Sequence, residues 1–454
     1  MRSASLFCIG IIALAAFRAS AEDKKVSYYK DLVPIFKRSC TGCHHPGKLK
    51  GQLDLTTYEA LKKGGKHGPS FVSGDPKKSS LIEEIAGEEP SMPKEGDPLT
   101  KDEVALFERW IAEGAGDDTP AGKLNPFKLA APPVYQAPAL ISAAVYSPDG
   151  EMIAVSGYHE VLLQKADGSG LIGRLVGESP RIEALAFSPD GKFLAACGGA
   201  PSQFGEVQIW DLAAKTLSKS YKISPDSLYG ISYSPNGEQL AFGGADKSVR
   251  VIAVADGKEL MKFDNHTDWV FGTTFTVDGK RLLTGSRDRA MKLINVANGQ
   301  FIDDINKLLE GVLCIARHPK NDQILYGGDL GTARFYRIAE NQGRTAANND
   351  VNLIKEFERQ PAAVRAVAFS PDGKQVALGS IGEVRIYKTD GALVSTLKGH
   401  EGAIFSISYH PSKPQVLTGG YDGTLRIFDP VLGTLAKSFV PFPIQAKTTV
   451  ASQP

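Results

Sequence analysis

A turn motif that recurs seven times in the second part of the chain limits the possible fold more than any other feature. Each copy has Ser, Thr or His in first place, and most copies end in Asp-Gly or Asn-Gly. The copies are Ser147–Gly150, Ser188–Gly191, Ser234–Gly237, Thr276–Gly279, His318–Asn321, Ser370–Gly373 and His410–Lys413. Their starts are 41, 46, 42, 42, 52 and 40 residues apart. This period predicts a repeat architecture.

The residues around each turn indicate short strands. An alternating segment precedes each turn, as in Ala366–Phe369, and a second segment follows it. A third segment carries a large side chain at a matching place: Trp210, Ile252, Ile294, Tyr336, Tyr387 and Phe428. Four short strands in about 42 residues is the period of a β-propeller blade. We therefore predict an all-β seven-bladed propeller over residues 139–440, with residues 128–138 available to close the ring and a long loop on blade five around residues 342–352.

The first part of the chain contains the motif Cys40-Thr-Gly-Cys43-His44. Two thiols at this spacing on a helical turn can reach the two vinyl groups of a haem, and the adjacent imidazole can reach its iron. The motif predicts one covalent haem c, attached through Cys40 and Cys43, with His44 as an axial iron ligand. Two alternatives stay open: a zinc site that adds His67 to these residues, and a redox disulfide between the two cysteines.

The second axial ligand is predicted to be Met92, the only methionine between residues 22 and 126. The prolines of Glu89-Pro-Ser-Met92-Pro93 favour a stiff, extended loop that can present a thioether to iron. A thioether ligand raises the reduction potential, as an electron carrier requires. His45 and His67 are rival ligands, although His45 is too close to His44 to reach the opposite haem face. Alternatively, Met92 fills the core of a small domain.

Helical patterns surround the haem motif over residues 22–115. Ser80-Leu-Ile-Glu83 and Thr100-Lys-Asp-Glu103 both have the spacing of a capping box at a helix start. The second helix has Val104, Phe107, Trp110 and Ile111 on one side. Residues 116–138, rich in Pro and Gly, are predicted to form a linker, and residues 441–454 a C-terminal tail. The predicted fold class is multidomain: a small all-α domain followed by the all-β propeller.

The first 21 residues have the features of a signal peptide. Arg2 supplies the positive charge, residues 9–17 form a short apolar core, and Ala19-Ser-Ala21 fits a cleavage site. We therefore expect an exported, bacterial periplasmic protein without a membrane span, since that apolar core is too short to cross a bilayer.

The composition restricts the class of partner that the chain can bind and the roles that its cysteines can have. Lys and Arg number 52 against 51 Asp and Glu, so the overall charge indicates no nucleic-acid partner. Of the five cysteines, Cys8 would leave with the signal peptide. Cys197 and Cys314 lie in strand-like segments, where buried free thiols are expected.

Residues 28–115 resemble the planctomycete-type cytochrome c domain. The matching motifs are Pro34-Ile35, Cys40 to His44, Gly64-Gly65, Gly68-Pro69, Gly74-Asp75, Ser80 to Ile82, Met92-Pro93, Trp110-Ile111 and Gly114-Ala115. In that family a histidine and a methionine are taken as the axial pair, which the resemblance carries onto His44 and Met92. Members are joined to many kinds of partner domain, so the resemblance implies haem binding but no particular pathway.

Residues 139–440 are similar to WD-repeat proteins. The similarity rests on Ile209-Trp-Asp211, the Asp-Gly turns, Gly399-His400 and the turn aspartates Asp246, Asp288, Asp329 and Asp422. Only one blade has the Trp-Asp pair, and blade six lacks the turn aspartate. The fold should survive these losses, because packing matters more than any single signature residue.

We expect an exported electron carrier whose propeller docks a redox partner protein. One alternative is a multi-cofactor periplasmic oxidoreductase, resembling haem-dependent nitrite reductases in layout, with a second active site in the propeller. Its candidate ligands would be His159, His266, His318, His400 and His410. Most of these fit scaffold positions, since His318 and His410 take the serine place of the turn. The other alternative is a haem redox sensor. The sequence does not indicate the oligomeric state.

Overall fold

The computed structural model describes residues 25–45, 48–120, 129, 131–307, 309–339 and 350–445. These residues divide into two compact units, with the boundary after residue 124. The predicted signal peptide, residues 121–128 of the predicted linker, residues 342–349 of the predicted loop and residues 446–454 of the predicted tail lie outside the described residues.

The first unit is mainly helical, as predicted. A π-helical turn (Tyr28–Leu32) leads into the first helix, and short 3₁₀ turns occur at Lys50–Gln52 and Pro76–Lys78. The helices are α1 (Val33–Ser39), α2 (Tyr58–Lys63), α3 (Ser80–Ile85) and α4 (Lys101–Ala112). A two-stranded ladder of β1 (His44–His45) and β2 (Lys48–Leu49) is the one departure from the all-α prediction within the described part of this unit.

The two predicted capping boxes have different outcomes. At α4, the Thr100 hydroxyl accepts a hydrogen bond from Glu103 N (3.2 Å) and Glu103 Oε2 accepts one from Thr100 N (2.9 Å), which confirms the prediction. At α3 the prediction is wrong: Ser79 is the N-cap residue, and no side chain caps the helix. The Ser80 hydroxyl instead donates to the carbonyl oxygens of Pro69 and Ser70, both at 3.2 Å, so tertiary partners replace the local cap.

Aromatic side chains form the core of the helical unit. Trp110 is 1% exposed, stacks on Tyr28 (5.6 Å between ring centroids) and meets the edge of Phe71 (5.1 Å). Its indole Nε1 donates to Gly116 O (2.9 Å), which satisfies the only polar atom of the ring. Phe107 packs edge-on against Phe36 of α1. The predicted apolar side of α4 therefore faces this core, where burying each such ring stabilises the fold by about 2–3 kcal/mol.

The second unit consists of five antiparallel sheets of four or seven strands. The first sheet contains β3 (Ala144–Tyr146), β4 (Met152–Ser156), β5 (Tyr158–Lys165), β6 (Leu171–Phe187), β7 (Phe193–Ala200), β8 (Phe204–Asp211) and β9 (Thr216–Ser224). The second contains β10 (Leu228–Tyr233), β11 (Gln239–Gly244), β12 (Val249–Ala253) and β13 (Glu259–Phe263), and the third β14 (Val270–Phe275), β15 (Arg281–Ser286), β16 (Met291–Asn295) and β17 (Phe301–Asp304). The fourth contains β18 (Val312–Arg317), β19 (Gln323–Gly328), β20 (Ala333–Arg337) and β21 (Leu353–Glu356). The fifth contains β22 (Ala366–Phe369), β23 (Gln375–Gly379), β24 (Ile381–Lys388), β25 (Leu393–Tyr409), β26 (Val416–Gly420), β27 (Leu425–Phe428) and β28 (Leu435–Phe439).

Two long strands, β6 and β25, join groups of strands within the seven-stranded sheets. Residues 171–176 of β6 pair with β5 and residues 182–187 pair with β7, and Arg181 pairs with both strands. In the same way residues 393–398 of β25 pair with β24, and residues 404–409 pair with β26. Each long strand therefore serves two neighbouring groups of strands.

The repeated motifs occupy equivalent places in these sheets. The six large side chains predicted on the third strands each pair with a buried aliphatic residue of the preceding strand, as Trp210 does with Leu194 and Tyr336 with Ile324. In the turns, the Ser188 hydroxyl donates to Asp190 (2.6 Å) and accepts from Phe193 N (2.9 Å). Gly191 has φ +71°, a left-handed conformation that favours glycine.

The first and last sheets are in contact. The Ser406 hydroxyl of β25 accepts from Ala144 N (2.8 Å) and donates to Ala144 O (2.9 Å), and Ser408 accepts from Tyr146 N (3.1 Å). Tyr135, near the end of the predicted linker, forms a parallel bridge with Ile444. Its ring packs in the same hydrophobic cluster as residues of β3, β4 and β27. Segments at both ends of this unit therefore contribute to one core.

Candidate haem-binding site

The motif Cys40 to His44 forms one helical turn at the end of α1. Phe36 O accepts from Cys40 N (2.8 Å) and Thr41 N (2.9 Å), which ends the helix. Cys40 O then accepts from both Cys43 N and His44 N at 3.1 Å. Residues three and four apart on a helical turn share a side. The backbones of Cys40, Cys43 and His44 therefore lie in one hydrogen-bonded turn.

Both cysteines of the motif are free and half-buried. Cys40 packs against the hydrophobic cluster of the helical unit. Burial raises the pKa of its thiol to about 11, although the positive charge of Arg38 acts in the opposite direction. A catalytic redox pair needs a lowered thiol pKa. The raised pKa of the Cys40 thiol therefore disfavours the redox-disulfide alternative.

His44 has an imidazole nitrogen that the protein leaves unused. Its Nδ1 is buried and has no hydrogen-bond partner. Its backbone is fixed on both sides, since Leu55 N donates to His44 O (2.9 Å) and His44 pairs with Leu49 in the short ladder. Burying an unpaired ring nitrogen costs free energy. This orphaned atom, on the same turn as two free thiols, fits a haem bound at this turn.

The Met92 loop lies against the end of α1. Met92 is half-buried, packs on the same hydrophobic cluster as Cys40, and donates its backbone N–H to Glu84 O (2.9 Å). A cleft of about 320 Å³ separates Pro93 and the residues after it from Arg38 and Ser39. The structure therefore places the Met92 loop beside the residues that immediately precede Cys40.

Of the two rival ligands, only His67 has a described side chain. His67 is exposed in the short turn between Gly65 and Gly68. The side chain of His45 lies outside the described residues. In the part of the chain that the structure describes, no three His, Cys, Asp or Glu side chains converge as a metal-binding group, so the zinc alternative has no support there.

Sequence reasoning missed the ion pair that connects α1 with α4. Arg38 Nη2 lies 2.7 Å from Glu103 Oε1, and Glu103 is the residue that closes the capping box of α4. The pair borders the cleft between α1 and the Met92 loop. The sequence places these residues 65 positions apart and contains no signal that would have paired them.

Four histidines of the second unit have structural partners. His266 lies 2.7 Å from Asp288 and 2.8 Å from the Thr284 hydroxyl, and His400 makes the equivalent contacts with Asp422 and Thr418. Burial would raise the pKa of Asp288, but the hydrogen bond and charge of His266 lower it to about 2. His318 and His410 accept backbone N–H groups in their turns. These contacts confirm scaffold roles; the exception is His159, whose buried Nδ1 has no partner.

Comparison with protein families identifies both parts of the chain. Residues 40–96 match the family described as Planctomycete cytochrome C. Residues 170–211, 215–252, 257–295 and 391–429 match the WD domain, G-beta repeat. Fold and site therefore define a chain that joins a cytochrome c domain to WD repeats. Both resemblances drawn from the motifs are confirmed, and the cytochrome part is of the planctomycete type.

One relative is similar in sequence to a short part of the chain. Protein groucho of Drosophila melanogaster is 32% identical over 90 residues. The match covers 20% of this chain and 12% of the groucho protein, so the chain spans only a small part of that relative.

Within the described residues, no helix is both long and apolar enough to cross a bilayer.

Proposed function

We propose that this protein is an exported c-type cytochrome that transfers electrons, with one haem c attached through Cys40 and Cys43. The turn after α1 carries the proposal, because Cys43 N and His44 N share Cys40 O as their acceptor. Two thiols and an imidazole on one side of a turn are what covalent haem attachment needs. The family match over residues 40–96 supports the same cofactor.

Each site residue then has one task. Cys40 and Cys43 hold the haem covalently, and His44 and Met92 are its axial ligands. When bound, haem supplies a one-electron iron couple whose potential depends on these ligands. The hydrophobic cluster that Cys40 and Met92 contact provides apolar surroundings on this side of the site. Apolar surroundings and a thioether ligand both favour the reduced, less charged iron.

We further propose that the β unit is a closed, seven-bladed propeller that docks a redox partner protein. If the two segments of β6 and of β25 are counted separately, the strands form seven successive groups of four. The bonds from Ser406 to Ala144 join the last group to the first, as a closed ring requires. WD repeats suggest a role in protein–protein interaction.

Export belongs to the same proposal. The signal-peptide pattern of residues 1–21 supports a periplasmic location, and haem c is attached outside the cytoplasm.

The multi-cofactor enzyme receives less support, since protein groups hold four of the five candidate histidines, which are therefore not free to bind a second cofactor. These four are His266, His318, His400 and His410.

An optical redox titration tests the proposal. The full chain, expressed with its signal in a host that matures c-type cytochromes, should show one haem per chain, a reversible one-electron couple and a thioether-to-iron band when oxidised. Met92→His should abolish that band and lower the potential, because imidazole stabilises ferric iron more than a thioether does. Met261→Leu, in the core of the β unit, is the control and should change neither. A second chromophore, or an unchanged band in Met92→His, would contradict the proposal.

A further inference from the structure

Seven strands of the β unit end at one equivalent register position, immediately before a turn motif. Phe187 pairs with Leu194, Tyr233 with Leu240, Phe275 with Leu282 and Arg317 with Ile324. Tyr146, Phe369 and Tyr409 occupy the same position in the remaining strands. Six of the seven side chains are aromatic, and only Arg317 is charged.

Arg317 lines a cleft with three of these aromatic residues. The cleft has a volume of about 390 Å³ and runs along the ends of β6, β10, β14 and β18. Phe187, Tyr233 and Phe275 contribute rings to its wall, and Ser232 and Thr274 contribute hydroxyl groups. Arg317 is the only charged residue among the residues that line it. The lining of the cleft therefore combines one positive charge with aromatic rings, prolines and residues that carry hydroxyl groups.

The guanidinium of Arg317 is only partly satisfied by the protein. Its Nη1 donates to His318 O (3.0 Å), and no carboxylate lies within ion-pair distance of it among the described residues. Asp322 is the nearby acid, but its oxygens bind Arg281 Nη2 (3.1 Å) and Val277 N (2.9 Å). Burial lowers the pKa of Arg317, and the charge of Asp322 opposes that effect only in part.

A partly buried cation costs free energy unless a bound group satisfies it. The guanidinium of Arg317 therefore points to a ligand that carries a negative charge and accepts hydrogen bonds. The unpaired hydroxyl of Tyr233 is not specific to the cleft, because Tyr146 and Tyr409 have the same unpaired group at the equivalent position.

We propose that this cleft binds a small monocarboxylate with an apolar or aromatic body, and that Arg317 holds its carboxylate. A guanidinium presents paired N–H groups that match the two oxygens of a carboxylate. One cation balances one negative charge, whereas a phosphate dianion would leave one charge without a counter-charge among the residues that line the cleft. The rings and prolines of the cleft suit the apolar body, and the volume is that of a small-ligand pocket. The site is independent of the haem proposal.

Fluorine NMR of the full chain with 4-fluorophenylacetate tests this inference. The wild-type protein should bind the probe saturably, and Arg317→Phe should weaken binding about tenfold or more, because a charge-assisted pair is lost. Phenylalanine occupies the equivalent position in three other strands, so the variant has a residue that this position already accepts. Arg317→Lys, which keeps the charge but not the paired donors, should bind with intermediate affinity.

Lys320→Met is the matched control, since it removes an exposed positive charge outside the cleft and should leave binding unchanged. The neutral 4-fluorophenylacetamide should bind more weakly than the acid, and inorganic phosphate should not displace the acid. If Arg317→Phe fails to fold, Arg317→Lys and the amide comparison decide the matter. The inference is overturned if the wild-type protein shows no saturable binding of the acid, or if phosphate displaces the acid. It is also overturned if Arg317→Lys binds the acid as tightly as the wild-type protein does, or if the wild-type protein binds the amide as tightly as the acid.

Discussion

His318 and His410 cap their turns with a ring nitrogen where the other five turns use a serine or threonine hydroxyl. The Nδ1 atom of His318 accepts from Lys320 N and Asn321 N, both at 3.1 Å, and that of His410 accepts from Ser412 N and Lys413 N. An acceptor nitrogen must be unprotonated. These turns therefore require neutral histidine.

This requirement predicts that acid destabilises the β unit. Burial lowers the pKa of His159, His318, His400 and His410 below the ordinary value of 6.5. The unfolded chain then binds more protons than the folded chain. The free energy of unfolding should be constant above about pH 6.5 and should fall as the pH drops from 6.5 through the lower, folded-state values. Urea denaturation between pH 8 and pH 5 measures this dependence.

Replacing both turn histidines isolates their part of the effect. His318→Ser with His410→Ser should reduce the loss of stability below pH 6.5, since serine fills this place in four other turns and does not titrate. His67→Ser, at an exposed position of the helical unit, should leave the dependence as it is. An identical pH profile in the double variant would show that neither turn depends on neutral histidine.

At the scale of elements, the capping box of α4 carries a measurable share of helix stability. Thr100→Ala removes the acceptor for Glu103 N and should lower the unfolding free energy of the helical unit by about 1 kcal/mol. Thr100→Ser keeps a capping hydroxyl and should change it by only a few tenths of a kcal/mol. Chemical denaturation followed by far-ultraviolet circular dichroism measures both. Equal stability of the two variants would show that the Thr100 hydroxyl does not stabilise α4 as a cap.

The strand pattern was the most predictable feature. Turn spacing and the alternation of apolar residues predicted the positions of Trp210, Tyr336 and their equivalents, because a two-residue period leaves one register that buries them. Local pattern alone was insufficient at α3, where the same capping signal as at α4 failed. There the Ser80 hydroxyl binds carbonyls of Pro69 and Ser70, which only tertiary structure brings near.

In the candidate sites, too, local sequence predicts only those features that do not depend on tertiary packing. The turn from Cys40 to His44 is local, so its geometry follows from its sequence. The position of the Met92 loop beside Arg38 and Ser39 depends on long-range packing, which no local pattern encodes. The sequence shows Arg317 before a turn where the other six turns follow an aromatic residue, but it does not show the cleft that Arg317 lines, because four separate strands form that cleft.

At the scale of the whole molecule, contact between the first and last sheets of the β unit should be essential to its stability. Ser406→Ala removes both hydrogen bonds to Ala144, whose backbone is fully buried, and should cost about 1–3 kcal/mol. Ser438→Ala, on the exposed strand β28, should change stability by less than about 0.5 kcal/mol. Urea denaturation compares them. If both variants match the wild-type protein, the proposed ring closure is wrong.

The intact mass of the exported protein under denaturing conditions shows whether haem is covalently attached. We expect a chain that begins at Glu22 and carries the mass of one haem. Cys40→Ala with Cys43→Ala should lose that mass, whereas Cys197→Ala with Cys314→Ala should keep it, because Cys197 and Cys314 lie on separate strands, β7 and β18, outside the haem motif. An unmodified mass for the wild-type chain from a host competent in haem c maturation would contradict the account.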